Sequence, residues 1–230
     1  MIKPIRLLLP IFTVFVILFY ACKKAETGTM TDLRDGQIYK TVKIGNQWWM
    51  AENLNYNQSS YGNDWCYAND SSNSIIYGRL YNWYAAMQGA SSVSNNYGKV
   101  QGVCPHGWHI PSDAEWKQLE MYLGMSRTYS DNDGNRSTEK KGKLKETSTT
   151  HWRYPNTGAT NSSGFTALPG GRYTDGSFND LGYYTLFWTS TEYYYDTTVA
   201  WYRGLSWNNY FINRYAYSKK HGYSVRCVKN

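Results

Sequence analysis

The chain has 230 residues, with 24 Lys and Arg against 17 Asp and Glu and a formal net charge of +7. Charged residues make up 18%, whereas 23 Tyr and 10 Trp stand against 7 Phe, so the charge content lies below the ~25% of an ordinary domain. The basic excess is diffuse apart from Lys140-Lys141-Gly142-Lys143-Leu144-Lys145, which reads as a solvated surface, and no nucleic-acid-binding function is expected.

Lys3 and Arg6 precede an apolar run from Leu7 to Tyr20. That run is about 14 residues, too short for the ~20 of a spanning helix, and fits a secretory signal. It ends in Phe19-Tyr20-Ala21-Cys22, which resembles the lipobox of bacterial lipoproteins. The resemblance implies that residues 1–21 are a signal peptide, that Cys22 is lipidated, and that 22–30 form a tether. The expected address is the cell envelope, lipid-anchored at the outer membrane or cell surface. Removing Lys3 and Arg6 would leave a charge of +5, 22 basic residues against 17 acidic. Cys66, Cys104 and Cys227 then remain, an odd number in a compartment that permits disulfides.

The folded part is expected from residue 31 to 230, one domain with a sizeable core. Asp35-Gly36 marks a turn. Ile38, Val42 and Ile44 fall at even spacing, Gly45-Asn46 marks a second turn, and Gln47-Trp48-Trp49-Met50 begins the return strand of a hairpin. Residues 55–74, rich in Asn, Ser, Gly and Asp, read as loop. Residues 77–87 read as a helix, because Leu80, Trp83, Tyr84 and Met87 share one stripe, taken as core packing. Residues 88–101 are again loop.

Val103 to Trp116 carries the densest local signals. Cys104-Pro105-His106-Gly107 punctuates a loop, Trp108 and Ile110 alternate with polar residues as in a short strand, and Pro111 ends it. Ser112 with Glu115 three residues on forms a capping box, opening a helix over 112–124 with Gly124 as its C-terminal cap. Residues 126–141 are polar and read as a mobile segment, and 142–146 as a helical turn. Short strands with long loops follow, at 164–171, 187–191, 199–203 and 223–228.

These blocks resemble the Fibrobacter succinogenes major paralogous domain. Gly36 to Leu54 looks like its start, Tyr77 to Trp83 and Cys104 to Trp116 like its middle, and Gly164 to Gly171, Phe187 to Glu192 and Gly222 to Val228 like its end. More distantly, the arrangement is similar to the C-type lectin fold. The resemblance implies an α+β, C-type lectin-like domain, two helices flanking a small mixed or antiparallel sheet with long loops. It also implies a disulfide between Cys104 and Cys227, whose counterparts in that fold are bonded. Cys66 is left as a buried free thiol or an alternative partner for Cys227, since Ser71-Ser72-Asn73-Ser74 lacks the second cysteine many members have.

Candidate chemistry is sparse. Asp131-Asn132-Asp133-Gly134-Asn135 with Glu139 is rich in oxygen ligands, but the twelfth position of an EF-hand would be Gly142 rather than Glu. Trp207-Asn208-Asn209 lacks the acid of the lectin calcium motif it resembles, and His106 with His109 has no third zinc ligand nearby. No metal and no cofactor is expected. Pro111 to Trp116 and Arg226-Cys227 also resemble the formylglycine-generating enzymes, but the active-site cysteine pair of that group is not evident, and no enzyme is expected. What remains is an aromatic and polar C-terminal third of the kind found in adaptable binding loops. Tyr193, Tyr194, Tyr195, Trp201, Trp207 and Tyr210 are therefore the candidate ligand-binding residues. The leading expectation is a non-catalytic binding module for a glycan or a protein; a structural envelope component and a formylglycine-type enzyme are the alternatives.

Overall fold

A computed structural model describes residues 25–58, 60–92, 98–137, 139 and 141–230. Residues 1–21, read as a signal peptide, and Cys22, read as a lipidation site, lie outside the described residues, and no described helix is long and apolar enough to cross a membrane. Strand accounts for 38% and helix for 15% of the structure, arranged as three sheets in a β-sandwich-like fold. This corrects the expected α+β, C-type lectin-like architecture. The helices of the described residues are short, α1 (Ser71–Tyr77), α2 (Trp83–Met87), α3 (Asp113–Tyr122) and α4 (Arg127–Asp131), and no pair of long helices flanks a small sheet.

The first sheet joins β1 (Thr27–Thr31), β2 (Ile38–Ile44), β3 (Gln47–Met50), β13 (Val228–Lys229) and β6 (Trp108–His109), in that order. β1 takes in Thr27 to Met30 of the stretch read as a tether. The β2–β3 hairpin turns at Gly45-Asn46 with Gly45 at φ +64°, as its sequence asks. The second sheet runs β7 (Gly134–Arg136), β12 (Ile212–Ser218), β11 (Asp196–Ser206), β10 (Tyr184–Tyr193), β8 (Gly170–Thr174), β9 (Ser177–Leu181). A small pair, β4 (Asp64–Trp65) and β5 (Leu80–Tyr81), lies apart.

The helix expected over 77–87 is broken. α1 ends at Gly78, φ +73°, where an added Cβ would fall 2.6 Å from Asn53 Cβ. Leu80 and Tyr81 then pair with β4 and, through Tyr81, with Tyr223. Asn82 caps α2 by accepting from Ala85 N–H at 2.8 Å. Leu80, Trp83 and Met87 are buried as the stripe required, but Tyr84 is exposed. Strand pairing with residues far along the chain overrides the local period. Residues 142–146 keep a single turn, Lys145 N–H donating to the Gly142 carbonyl at 3.4 Å, flanked by bridges to Ala159 and Ala167. The segment read as mobile holds α4 and β7, with Arg136 fully buried.

The core has two compartments with strands for a wall. Leu186 and Trp188 of β10 face one cluster, with Tyr81, Trp83, Tyr223 and the Cys104–Cys227 disulfide. Phe187, between them, faces the other, with Trp49, Trp116, Trp152 and Phe165. Alternate side chains of a strand point to opposite faces, so a strand buried on both reads as a continuous apolar run. In the second cluster Trp49 and Trp116 lie 4.9 Å apart between ring centroids, and Phe165 and Phe187 meet edge to face at 5.7 Å. The Cys104–Cys227 bond, Cα–Cα 5.9 Å, ties β13 to the loop before β6.

Candidate functional site

α3 is positioned by the capping box read from its sequence. Ser112 Oγ accepts from Glu115 N–H at 3.2 Å, and Glu115 Oε2 accepts from Ser112 N–H at 2.8 Å. Glu115 also meets His109 Nε2 at 2.7 Å, while His109 Nδ1 meets Asn230 Oδ1 at 2.7 Å. His109 thus ties the helix start to the C-terminus. Among the described residues no cluster of His, Cys, Asp or Glu could hold a metal ion.

The next residue, Asp113, sits in the first turn of α3, where a carboxylate is favoured. It points at the face of β11 and β12. Arg203 and Arg214 are directly opposed across that strand pair, an arrangement that repels unless an anion lies between them. Asp113 supplies it, accepting from Arg203 Nη1 at 2.8 Å and from Arg214 Nε and Nη2 at 2.8 and 2.9 Å. Glu120, two turns further along the same face of α3, accepts from Arg203 Nε at 2.5 Å and from Arg136 at 2.6 and 2.9 Å. Asp133 pairs with the remaining edge of Arg214, and Asp131 with Lys117. The acids read as oxygen ligands for calcium therefore face cations of the protein. Burial alone would raise Asp113, but Arg203, Arg214 and Lys117 outweigh it and hold the carboxyl well below its ordinary range. Burial likewise opposes the charge on Arg203, which Glu120 and Asp113 more than offset.

Above this network an aromatic series climbs to the surface. Arg214 lies flat on Trp201, 3.6 Å from the ring centroid. Tyr193 meets Trp201 edge to face at 5.1 Å, Tyr195 meets Tyr193 at 5.6 Å, and Tyr194 meets Tyr195 at 5.1 Å. Tyr194 and Tyr195 are the two-residue turn of the β10–β11 hairpin, since Tyr193 pairs with Asp196. They are 85% and 82% exposed. These rings border an open concavity of about 700 Å³, shared with Ser91, Ser92, Asp113, Glu192 and Arg214. Its second wall is fastened by Glu192, whose N–H donates to Ser92 Oγ at 2.9 Å and whose carboxylate pairs with Lys219.

Of the six candidate residues, Tyr193, Tyr194, Tyr195 and Trp201 come together here. Trp207 and Tyr210 do not. Trp207 lies beside Tyr183, at the opposite end of the hairpin, and Tyr210 packs on Phe211. Nine residues of strand separate the two ends, or ~30 Å. Asp113, Glu192, Arg214 and the two serines were missed. The available signal was Arg203, a charge within the run 199–203 read as strand.

Cys66 does not bond to Cys227. It is a partly buried free thiol 3.0 Å from Arg79 Nη1.

Comparison with curated proteins and with solved structures finds no match. A family model for the Fibrobacter succinogenes major domain matches residues 42–229, a span that holds the Cys104–Cys227 disulfide and the whole concavity. The chain belongs to the Fibrobacter succinogenes major domain family.

Proposed function

We propose that the protein is a non-catalytic binding module, held to the envelope by a lipid on Cys22, whose ligand rests on the tip of the β10–β11 hairpin. The observation that carries this is the pair Tyr194-Tyr195. Two-residue hairpin turns favour Asn, Asp and Gly. Two tyrosines there bury almost none of their surface, so folding gains little from them. Recognition does gain, because Tyr offers a rigid apolar ring with a hydroxyl at low entropic cost.

The concavity suits a glycan. Exposed rings supply flat apolar area for a sugar face, and Glu192, Ser91 and Ser92 supply polar groups along the wall. A protein ligand would use the same rings as anchors. The acids of the site are committed to cations, Asp113 to Arg203 and Arg214 and Glu192 to Lys219. None is left as a free base, which supports binding rather than turnover.

The purified protein applied to a glycan array, with a parallel pull-down from envelope extract, tests this. Binding that disappears in Tyr194→Ala/Tyr195→Ala is the expected result. Binding that persists unchanged in that variant removes the hairpin tip from the function.

A further inference from the structure

A second cavity, of about 320 Å³, opens on the other side of the core between α1, β2 and the loop leading to β8. Its floor is Arg226, 1% exposed. The guanidinium donates through Nε to Asn53 Oδ1 at 2.8 Å, through Nη2 to the Thr166 carbonyl at 3.0 Å, and through Nη1 to the Phe165 carbonyl. Its carbon lies 4.2 Å from the centroid of Phe165. Among the described residues no carboxylate pairs with it. The two acids that line the cavity are already engaged, Glu52 with Lys40 at 3.3 Å and Glu146 with His151 at 3.0 Å. Each terminal nitrogen of a guanidinium carries two protons, so Nη1 and Nη2 both keep one beyond the carbonyls they serve. Burial holds Arg226 below the ordinary arginine value, at about 9, which leaves it charged at neutral pH.

Glu52 of the cavity wall favours that charge from a distance but does not outweigh burial, and a buried cation with no carboxylate in contact is costly unless a partner arrives. The rest of the cavity shows what kind. Ala51, Ile76 and Leu168 line its walls, and Ile38 and Ile75 stand exposed in an adjoining groove that shares Glu52, Asn53 and Ile76 with it. We propose that this cavity binds a carboxylate attached to a branched apolar group, the carboxylate on Arg226 and the apolar part against Ile76 and Leu168. A free branched-chain acid and the C-terminus of a peptide ending in leucine both present that chemistry.

Titration of the purified full chain, followed by NMR at the Arg226 Nε–H and the Ala51, Asn53 and Thr166 amides, tests it. The probes are 4-methylpentanoate, its uncharged amide, and an acetylated tripeptide ending in leucine as free acid and as amide. Saturable shifts are expected for at least one acid, with its amide at least ~10-fold weaker, since a hydrogen bond to a charged group is worth ~1.5–3 kcal/mol and 1.4 kcal/mol is tenfold. Which acid binds identifies the source. Arg226→Lys should weaken the acid. Should that variant fail to fold, Ile76→Glu, at a half-exposed position that tolerates charge, should abolish binding by repelling the carboxylate. Equal affinity for acid and amide, no saturation with either acid, or a wild-type response in Ile76→Glu would overturn the proposal.

Discussion

Replacing Asp113 by Asn tests whether the charge network beneath the aromatic series holds the second sheet to α3. The change keeps the shape of the side chain and removes the anion between two opposed arginines. Asp113 accepts three hydrogen bonds from Arg203 and Arg214, at 2.8 to 2.9 Å, and its carboxylate lies 3.3 Å from Lys117 Nζ. Taking one partner from a buried pair costs ~3–5 kcal/mol, because the other charge stays buried. Glu120 still serves Arg203 and Asp133 still serves Arg214, so the lower end, ~3 kcal/mol, is expected. In a domain of this size that lowers Tm by about 6–12 °C. Urea unfolding followed by tryptophan fluorescence reads the midpoint, and an unchanged slope shows that the denatured state is the same. The pH dependence adds a second reading. The folded-state pKa of Asp113 lies below the unfolded value of 3.8, so its contribution is complete above that pH and drains away as pH falls toward the depressed value. The wild type should lose stability below pH 3.8 more steeply than Asp113→Asn. A cost under ~1 kcal/mol, the range of a surface pair, or identical acid profiles would refute the reasoning.

Other outcomes follow from the same structure. Cys104→Ser/Cys227→Ser opens a bond spanning 123 residues, and the chain-entropy relation gives a loss of ~5 kcal/mol, measurable by the same urea titration. Burial raises Tyr202 to about 12 and raises Tyr39, Tyr81 and Tyr223 above the ordinary value of 10. Their contribution is complete below pH 10 and is lost as pH rises toward 12 and beyond. Absorbance at 295 nm should therefore show these four tyrosines ionising only together with unfolding, and their ionisation near 10 with the fold intact contradicts this. Tyr194→Ala/Tyr195→Ala should leave the urea midpoint within ~0.5 kcal/mol of wild type, as for surface positions without structural duties, and a larger loss would assign those rings to folding.

The parts of the fold legible in the sequence are those decided within a few residues. Gly45-Asn46 closes its hairpin and Ser112 with Glu115 caps α3 because a turn and a capping box draw on neighbours alone. Leu80 and Tyr81 were read on the wrong element because their partners are Trp65, Asp64 and Tyr223, and no periodicity reports a partner that distant. β12 was not recognised because Tyr215 and Tyr217 face solvent while Arg214 faces in, reversing the usual polarity of a strand. The Cys104–Cys227 bond came from resemblance and holds although the fold class drawn from the same resemblance does not. The candidate site was legible as composition but not as place. Six aromatics were singled out alike, and the β10–β11 register alone separates Trp201 and the three tyrosines from Trp207 and Tyr210, a distinction in strand pairing that spacing does not carry.

The central claim is that the hairpin tip, not the far end of the same strands, receives the ligand. Hydrogen exchange of the protein with and without the ligand recovered by the array or pull-down measures this directly. Slowed exchange confined to residues 191–202, with the 91–92 wall, is the predicted result. Protection centred on 207–211, or a bound ligand that slows no amide of the hairpin tip, would contradict it.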